Sequence, residues 1–549
     1  MQRLTVTAML WGGFWFVGAV AEDRPLRPNI VCILADDLGF SDLGCYGGEI
    51  ETPHLDALAA GGLRFTQFYN TARCWPSRAS LLTGYYAQQV RRDVLPGVPS
   101  GNTGVRPAWA RLIPEWLRSV GYRSYHAGKW HVDGPKLAAG FARSYDCLDH
   151  NNYFQLQRES LDDQPLPADA MPGAYVTTRI TDHALQFLDE HMREYAGQPF
   201  FLYLAYTAPH FPLQALPADI ARYRERYRAG WDTLRVARWE RQQQMQLIST
   251  ALSALEEQVG PPYDFPEAFS VLGPGEIKYP LPWDKLTAMQ QEFQAVKMAI
   301  HAAMVHAMDR EIGRVISWLQ RHQVFEQTLI MFASDNGASA EIMVRGLGHD
   351  PTAAAGSAQT FLCLGPGFSS LANTPFRRHK TWVHEGGIAS PLIVHWPRGI
   401  SVRGELRHTP CHIIDLAATM LDVAGVTLPA TWGENRPRPV MPARSLVPLW
   451  SRDDAAWSQR PLWWSHEGNQ ALRQGDWKVV RSRRDMTWEL YNLAVDRAEQ
   501  HDLSHMHPER VQQLVSLWEE MQNSFVRDAL LDPPPPAPSG SKKGGKNKK

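Results

Sequence analysis

Short apolar runs that end in polar clusters recur along the chain. Residues 29–35 (NIVCILA) end in Asp36-Asp37, residues 122–127 in Gly128-Lys129-Trp130-His131, residues 200–206 (FFLYLAY) in Pro209-His210, and residues 329–333 (LIMFA) in Asp335-Asn336. Runs of this kind, rich in β-formers, predict strands buried on both faces of a sheet. Residues 55–63, 178–195 and 299–322 instead repeat their apolar positions at helical spacing, residues 391–396 predict a further strand, and residues 413–424 a further helix. Strands alternating with helices predict an α/β fold whose large sheet is mostly parallel and lies between helices. In open sheets of that class ligands bind beyond the carboxyl ends of the strands, so four polar clusters at four strand ends are expected to converge on one site.

Outside this rhythm, residues 215–290 read as a helical insertion. It opens with an Arg- and aromatic-rich run over 220–247, expected to be a solvated helix face, and continues as a Pro-rich loop. Residues 429–442, rich in Pro, Arg and Gly, predict a linker. Beyond it DWKVVRS and WELYNL predict strands and residues 508–523 a helix, together a smaller α+β C-terminal subdomain. The expected division is a catalytic domain over 22–440, the C-terminal subdomain over 441–530, and a Pro/Lys-rich tail over 531–549 that is too polar to build a core. Truncating the tail from Pro533 is expected to leave the melting temperature and turnover nearly unchanged; a large drop in a thermal melt would show that it docks.

Composition narrows the function. The 549 residues carry a net charge of −1, which excludes the overall basic field of a nucleic-acid binder. Arg3, an apolar stretch over 8–20 and the small-x-small run Ala19-Val20-Ala21 predict a signal peptide over 1–21, cleaved near Ala21, and hence export to a periplasm or the outside. No integral membrane span is expected in the mature chain. The six cysteines form no CxxC pair, which excludes a zinc ribbon or a thioredoxin-type site.

Two clusters carry candidate chemistry of their own. In Cys74-Trp75-Pro76-Ser77-Arg78, Pro76 fits the first turn of a helix, which places Cys74 at a helix N-terminus with Arg78 one turn on, able to point back toward it. Cys74 is then either a low-pKa nucleophile or a buried structural cysteine. Asp36-Asp37 and Asp335-Asn336 supply three carboxylates and an amide. Each pair is either a turn or cap, or a set of hard oxygen ligands that suits calcium better than zinc.

The run C-x-P-S-R-x4-T-G over Cys74 to Gly84 resembles the signature of the type I formylglycine-dependent sulfatases, arylsulfatase-like members of the alkaline phosphatase superfamily. Gly128-Lys129-Trp130-His131, Pro209-His210-Phe211-Pro212 and Lys380 before Glu385-Gly386-Gly387 resemble further motifs of that family, in the same order. The resemblance implies an alkaline-phosphatase-like core in which Cys74 is oxidised to formylglycine by a maturation enzyme. It also implies one calcium ion held by Asp36, Asp37, Asp335 and Asn336. By the same resemblance Lys129 and Lys380 bind sulfate, Arg78 adds to a cationic pocket, His131 contacts the nucleophile, and His210 protonates the leaving oxygen. The implied partner is a sulfated small molecule or glycan. Tyr85 and Ala389 stand where many relatives carry arginine, which leaves the outer pocket open. Two other readings are a formylglycine-dependent phosphonate or phosphate ester hydrolase and a catalytically dead binding protein. The latter is expected to lose Cys74, Arg78 or a metal aspartate, and none is lost.

Overall fold

The computed structural model describes residues 27–147, 152–168, 173–345 and 348–533. The expected signal peptide and nearly all of the expected tail lie outside these residues. The centre is a sheet of eleven strands. Asn29–Ala35 pairs in parallel with Phe200–Ala205 on one side and Thr328–Ser334 on the other. Phe200–Ala205 pairs in parallel with Arg123–Gly128, which pairs in parallel with Arg143–Asp146. Beyond Thr328–Ser334 the order continues through the antiparallel strand Ala389–His395 to Leu63–Tyr69. Every residue of Phe200–Ala205, Thr328–Ser334 and Ala389–His395 is buried, as strands covered by helices on both faces must be.

The predicted α/β class and mostly parallel sheet are observed, but one strand was not legible. Residues 55–63 do not form a single helix: the helix is Pro53–Ala60, and Leu63 opens the strand Leu63–Tyr69. That strand (LRFTQFY) interrupts its apolar positions with Arg64, Thr66 and Gln67, so it never reads as a continuous run. It matters because it delivers the chain to Cys74. Other boundaries also move. The predicted helix over 299–322 begins eleven residues earlier, as Ala288–Arg321, because Thr287 accepts from the Gln290 amide and Gln290 answers in a capping box. The predicted helix over 508–523 runs on as Pro508–Leu530.

The insertion corrects a further expectation. Its basic run is broken at Gly230 into Pro217–Tyr223, a 3-10 turn Arg226–Ala229, and Gly230–Gln244. It is not simply a solvated face, since Arg235 and Arg238 are buried. Arg238 reaches Asp42 Oδ1 at 2.8 Å and forms two 2.8 Å bonds to the Glu49 carboxylate, clamping the insertion to the loop after the first strand. Removing one partner of a buried pair strands the other's charge. Arg238→Met is therefore expected to cost about 3–5 kcal/mol in denaturant unfolding, with part recovered by adding Asp42→Asn.

The C-terminal part is a four-stranded antiparallel sheet, Leu462–His466, Asn469–Gln474, Trp477–Arg481 and Glu489–Asn492. Pro508–Leu530 covers one face, with Trp463 and Trp518 stacked at 5.3 Å. The small sheet is tied to the large one by buried charge. Glu385 receives Lys478 Nζ at 3.0 Å, Arg497 Nε at 2.8 Å and the Tyr69 hydroxyl at 2.9 Å. Burial alone would raise the Glu385 carboxyl, but these cations hold it down at about 2.

Candidate active site

All strand-end clusters meet at one edge of the large sheet. Asn29–Ala35, Leu63–Tyr69, Arg123–Gly128, Phe200–Ala205 and Thr328–Ser334 share a direction, so their carboxyl ends carry Asp36-Asp37, Cys74, Lys129, His210 and Asp335-Asn336 to the same side. Ala389–His395 runs the opposite way, so its amino end lies at that edge, and the preceding loop brings Lys380. An antiparallel strand thus serves the same site from its start.

Cys74 is the first residue of the helix Cys74–Thr83, with Arg73 in extended conformation before it, and is 3% exposed. The free helix N-terminus favours an anion there. Burial nevertheless pushes the thiol up, with Lys129 and Lys380 only partly opposing it. The low-pKa cysteine reading is therefore corrected: unmodified Cys74 is a protonated thiol at neutral pH. Arg78 stands near enough to Cys74 for the two to interact electrostatically, and acids hold it as well. It is fully buried, donates from Nε to Asp335 Oδ2 at 2.9 Å and from Nη1 to the Lys129 carbonyl at 2.8 Å, and lies 3.5 Å from Asp36. Two carboxylates and a carbonyl, all close to hand, outcompete the uncharged sulfur for the guanidinium.

The acidic residues alternate with cations. Lys129 Nζ bonds Asp36 Oδ2, and Lys380 Nζ lies 2.7 Å from Asp37 Oδ1. Asn336 Nδ2 donates to Asp37 Oδ1 at 2.7 Å. Burial would raise all three aspartates. Lys129, with Arg78 and Lys380, overcomes it at Asp36 and holds that carboxyl well below the usual range. At Asp37 burial wins over Lys380, and at Asp335 burial together with the Asp36 charge lifts the carboxyl to about 7. Like charges gathered this closely strain against one another unless a cation joins them. Asp36 Oδ1 and Asn336 Oδ1 are buried with no hydrogen-bond partner among the described residues. Two orphaned hard oxygens beside Asp37 fit a hard cation. Among the described residues, Asp36, Asp37 and His210 are the group of acidic and sulfur or imidazole side chains whose ligand atoms fall within 4.8 Å of one another.

His210 lies with Nε2 3.8 Å from Asp37 Oδ2 and its ring stacked on Phe211 at 4.1 Å. Burial, reinforced by Lys380, holds it well below the usual histidine range, so it is neutral in the ligand-free site. Donating a proton from it requires the negative charge of a bound ester to draw one onto the ring. His131 is half-buried, with its ring 5.8 Å from Trp75.

Backbone strain concentrates here. Asp37, Ala72, His131, Arg378 and Thr381 all take positive φ, and for the β-branched Thr381 at 85° this is an outlier. The glycines of SDNG and EGG are explained by close approach: a Cβ on Gly337 would lie 2.0 Å from the Gly386 carbonyl oxygen.

Sequence reasoning missed two members. Glu341 is fully buried, bonds Arg73 Nη1 at 2.9 Å and lies 3.4 Å from Lys380 Nζ, and both cations hold its carboxyl far down despite burial. Arg73 Nη1 also donates to Thr381 at 3.0 Å. Neither stands in a motif; the adjacency of Arg73 to Cys74 was the one signal available. Of the two departures, Tyr85 is buried against Trp109 and donates to the Pro439 carbonyl at 2.8 Å, and Ala389 opens a buried strand. All six cysteines are buried and unpaired, and no described helix is long and apolar enough to cross a membrane.

Residues 28–426 match the family described as Sulfatase, and residues 377–526 the family described as N-sulphoglucosamine sulphohydrolase, C-terminal. An uncharacterized sulfatase of Schizosaccharomyces pombe is 30% identical over 90% of this chain and 93% of its own. An arylsulfatase of Klebsiella aerogenes is 27% identical over 73% of this chain and 87% of its own. Among solved structures, Ps i-CgsB in complex with k-i-k-neocarrahexaose superposes with a TM-score of 0.62 at 24% identity, covering 90% of this chain and 93% of that one.

Proposed function

The chain belongs to the sulfatase family, within the alkaline phosphatase superfamily, and is a sulfuric ester hydrolase; from that premise we propose that it releases inorganic sulfate from carbohydrate or aryl sulfate esters, with formylglycine at position 74 and one calcium ion held by Asp36, Asp37, Asp335 and Asn336. The observation that carries this reading is the convergence, around a helix N-terminus bearing Cys74, of Arg78, Lys129 and Lys380 with three buried aspartates. The aldehyde, when hydrated, supplies two oxygens on one carbon, and the ion supplies positive charge for the sulfate oxygens. The chain's own groups do the rest. Lys129 and Lys380 bind the sulfate oxygens, Arg78 fixes Asp335 and the Lys129 loop, His131 takes a proton at the nucleophile, and His210 gives one to the departing oxygen. Because Cys74 is 3% exposed once folded, its oxidation fits a maturation enzyme that acts on the unfolded chain. The same reading keeps 22–440 as the catalytic domain, with the insertion over 215–290, and 441–530 as the subdomain that closes it, in a chain exported after cleavage near Ala21.

The test compares kcat/KM for an aryl sulfate and the matching aryl phosphate on one preparation, with the mass of the peptide around Trp75 read alongside. Sulfate is expected to be preferred, and aldehyde to replace thiol. A clear preference for phosphate transfers the protein to the phosphoesterase reading, and an active preparation with wholly unmodified Cys74 removes formylglycine from the mechanism. Lys380→Ala is expected to lower kcat/KM at least about tenfold, the scale of a lost charge-assisted contact.

A further inference from the structure

The turn that carries His210 is closed from behind by one buried phenol. The His210 amide donates to the Thr207 carbonyl at 2.9 Å, which folds residues 207–210 into a turn. Tyr153 is fully buried and brings its hydroxyl to both ends of that turn, 2.8 Å from the Thr207 carbonyl oxygen and 2.9 Å from that of His210. Burial raises the phenol well above its ordinary range, so the oxygen keeps its one proton and shares it between the two carbonyls.

Tyr153 is itself held on both sides. Its amide donates to Gln214 Oε1 at 2.9 Å, and Gln214 Nε2 donates to the Thr360 carbonyl at 3.0 Å. Its carbonyl accepts from the amide of Val176, the first residue of the helix Val176–Glu194, at 2.9 Å. Its ring stacks on Tyr175 at 5.7 Å, and the Tyr175 hydroxyl donates to the Gln214 carbonyl at 3.0 Å. The phenol is therefore tied to a long helix and to the far end of the His210 loop.

The tautomer of His210 follows from the same segment. Its Nδ1 is hydrogen-bonded to the Phe211 carbonyl, which can only accept, so the proton of the neutral ring sits on Nδ1. Nε2 is then the nitrogen that takes up and gives the mobile proton, and it is the one that faces Asp37. Because the ring is bonded to its own main chain, the placement of the turn decides where Nε2 is aimed.

We propose that Tyr153 is a positioning residue for proton donation: by closing the Thr207–His210 turn it aims Nε2 of His210 at the oxygen that leaves. This rests on the reading above, in which His210 protonates that oxygen. As the bond from sulfur to the leaving oxygen breaks, its electron pair stays on that oxygen and the proton on Nε2 moves to it. A loosened turn then costs rate according to how much the leaving oxygen needs the proton. A nitrophenolate is stable without it, and a methoxyphenolate is much less so.

The experiment measures kcat/KM, which covers the step in which the alcohol departs, for 4-nitrophenyl, phenyl and 4-methoxyphenyl sulfate. Tyr153→Phe removes only the hydroxyl. It is expected to lower the 4-nitrophenyl ester by at most about threefold and the 4-methoxyphenyl ester by about tenfold or more, part of the roughly 10²–10⁴-fold that a positioned acid contributes. Tyr175→Phe removes a buried hydroxyl of the same kind one ring away and should affect the three esters alike. Adding Tyr153→Phe to His210→Ala should cost little beyond His210→Ala alone, because the phenol acts through the imidazole. Should Tyr153→Phe fail to fold, Gln214→Met, which releases the Tyr153 amide, carries the same expectation. Equal losses across the three esters, or full additivity with His210→Ala, would make Tyr153 part of the packing and overturn the proposal. If His210→Ala itself lowers the three esters equally, His210 is not the acid and the proposal falls with that assignment. If no sulfate ester of any kind is turned over, the sulfatase reading falls first.

Discussion

Cys74→Ser is expected to convert a catalyst into a reagent that reacts once. The serine hydroxyl takes the same helix N-terminus, beside the same lysines, and keeps one oxygen where the proposed formylglycine hydrate would carry two. One oxygen suffices to attack sulfur: an O–S bond forms, the bond from sulfur to the leaving alcohol breaks, and the alcohol departs with a proton. Release needs the second oxygen, whose collapse to an aldehyde would expel sulfate, and serine has none. The sulfate ester on serine therefore persists, seen as a gain of about 80 Da in the intact mass after incubation with an aryl sulfate, with no more than about one alcohol released per chain. Cys74→Ala, with neither oxygen, should gain no mass. Repeated turnover by Cys74→Ser at a rate near that of the parent would mean that release does not depend on the hydrate, and position 74 would lose its assignment as nucleophile.

How much of this site could be read without coordinates depended on how each residue reaches it. Asp36, Asp37, His210, Asp335 and Asn336 follow strands that are largely apolar, so run and cluster are both visible in the sequence, whereas Lys129 follows Arg123–Gly128, which Arg123, Ser124 and His126 interrupt. Cys74 was found by its motif, whereas the strand that carries it, Leu63–Tyr69, was hidden by Arg64, Thr66 and Gln67. Glu341 was invisible for a different reason. A buried carboxylate is recognised by its partners, and Arg73 and Lys380 lie far from it along the chain. Arg238 failed in the same way: a basic residue on a basic helix reads as solvated until Asp42 and Glu49 appear against it. Local pattern shows which strand ends are polar, and only tertiary pairing shows which charges are buried.

That pairing sets the second large effect, a coupling between calcium and sulfate. Around Cys74 the carboxyl groups of Asp36, Asp37, Asp335 and Glu341 face the cations Arg73, Arg78, Lys129 and Lys380, so the buried charges balance once Asp37 and Asp335 are ionised. A divalent cation entering alone unbalances this cage toward positive, and a sulfate dianion entering alone unbalances it toward negative. Entering together they restore neutrality, and in a buried site of low effective dielectric that difference is large. Each ligand should therefore raise the other's affinity by the same factor, about 5- to 150-fold for a coupling of about 1–3 kcal/mol. Thermal melts with calcium alone, sulfate alone and both measure it, since a ligand at about a hundred times its Kd stabilises by about 2.7 kcal/mol. The joint shift is expected to exceed the sum of the separate shifts. Asp36→Ala removes the carboxylate that Lys129 and Arg78 face together. It should abolish the calcium-dependent shift and nearly all turnover, while leaving surplus positive charge that still accepts sulfate alone. Strictly additive shifts in the parent protein, or a calcium shift that survives Asp36→Ala, would place the ion elsewhere and break the link between the aspartate cluster and the lysines proposed to bind sulfate.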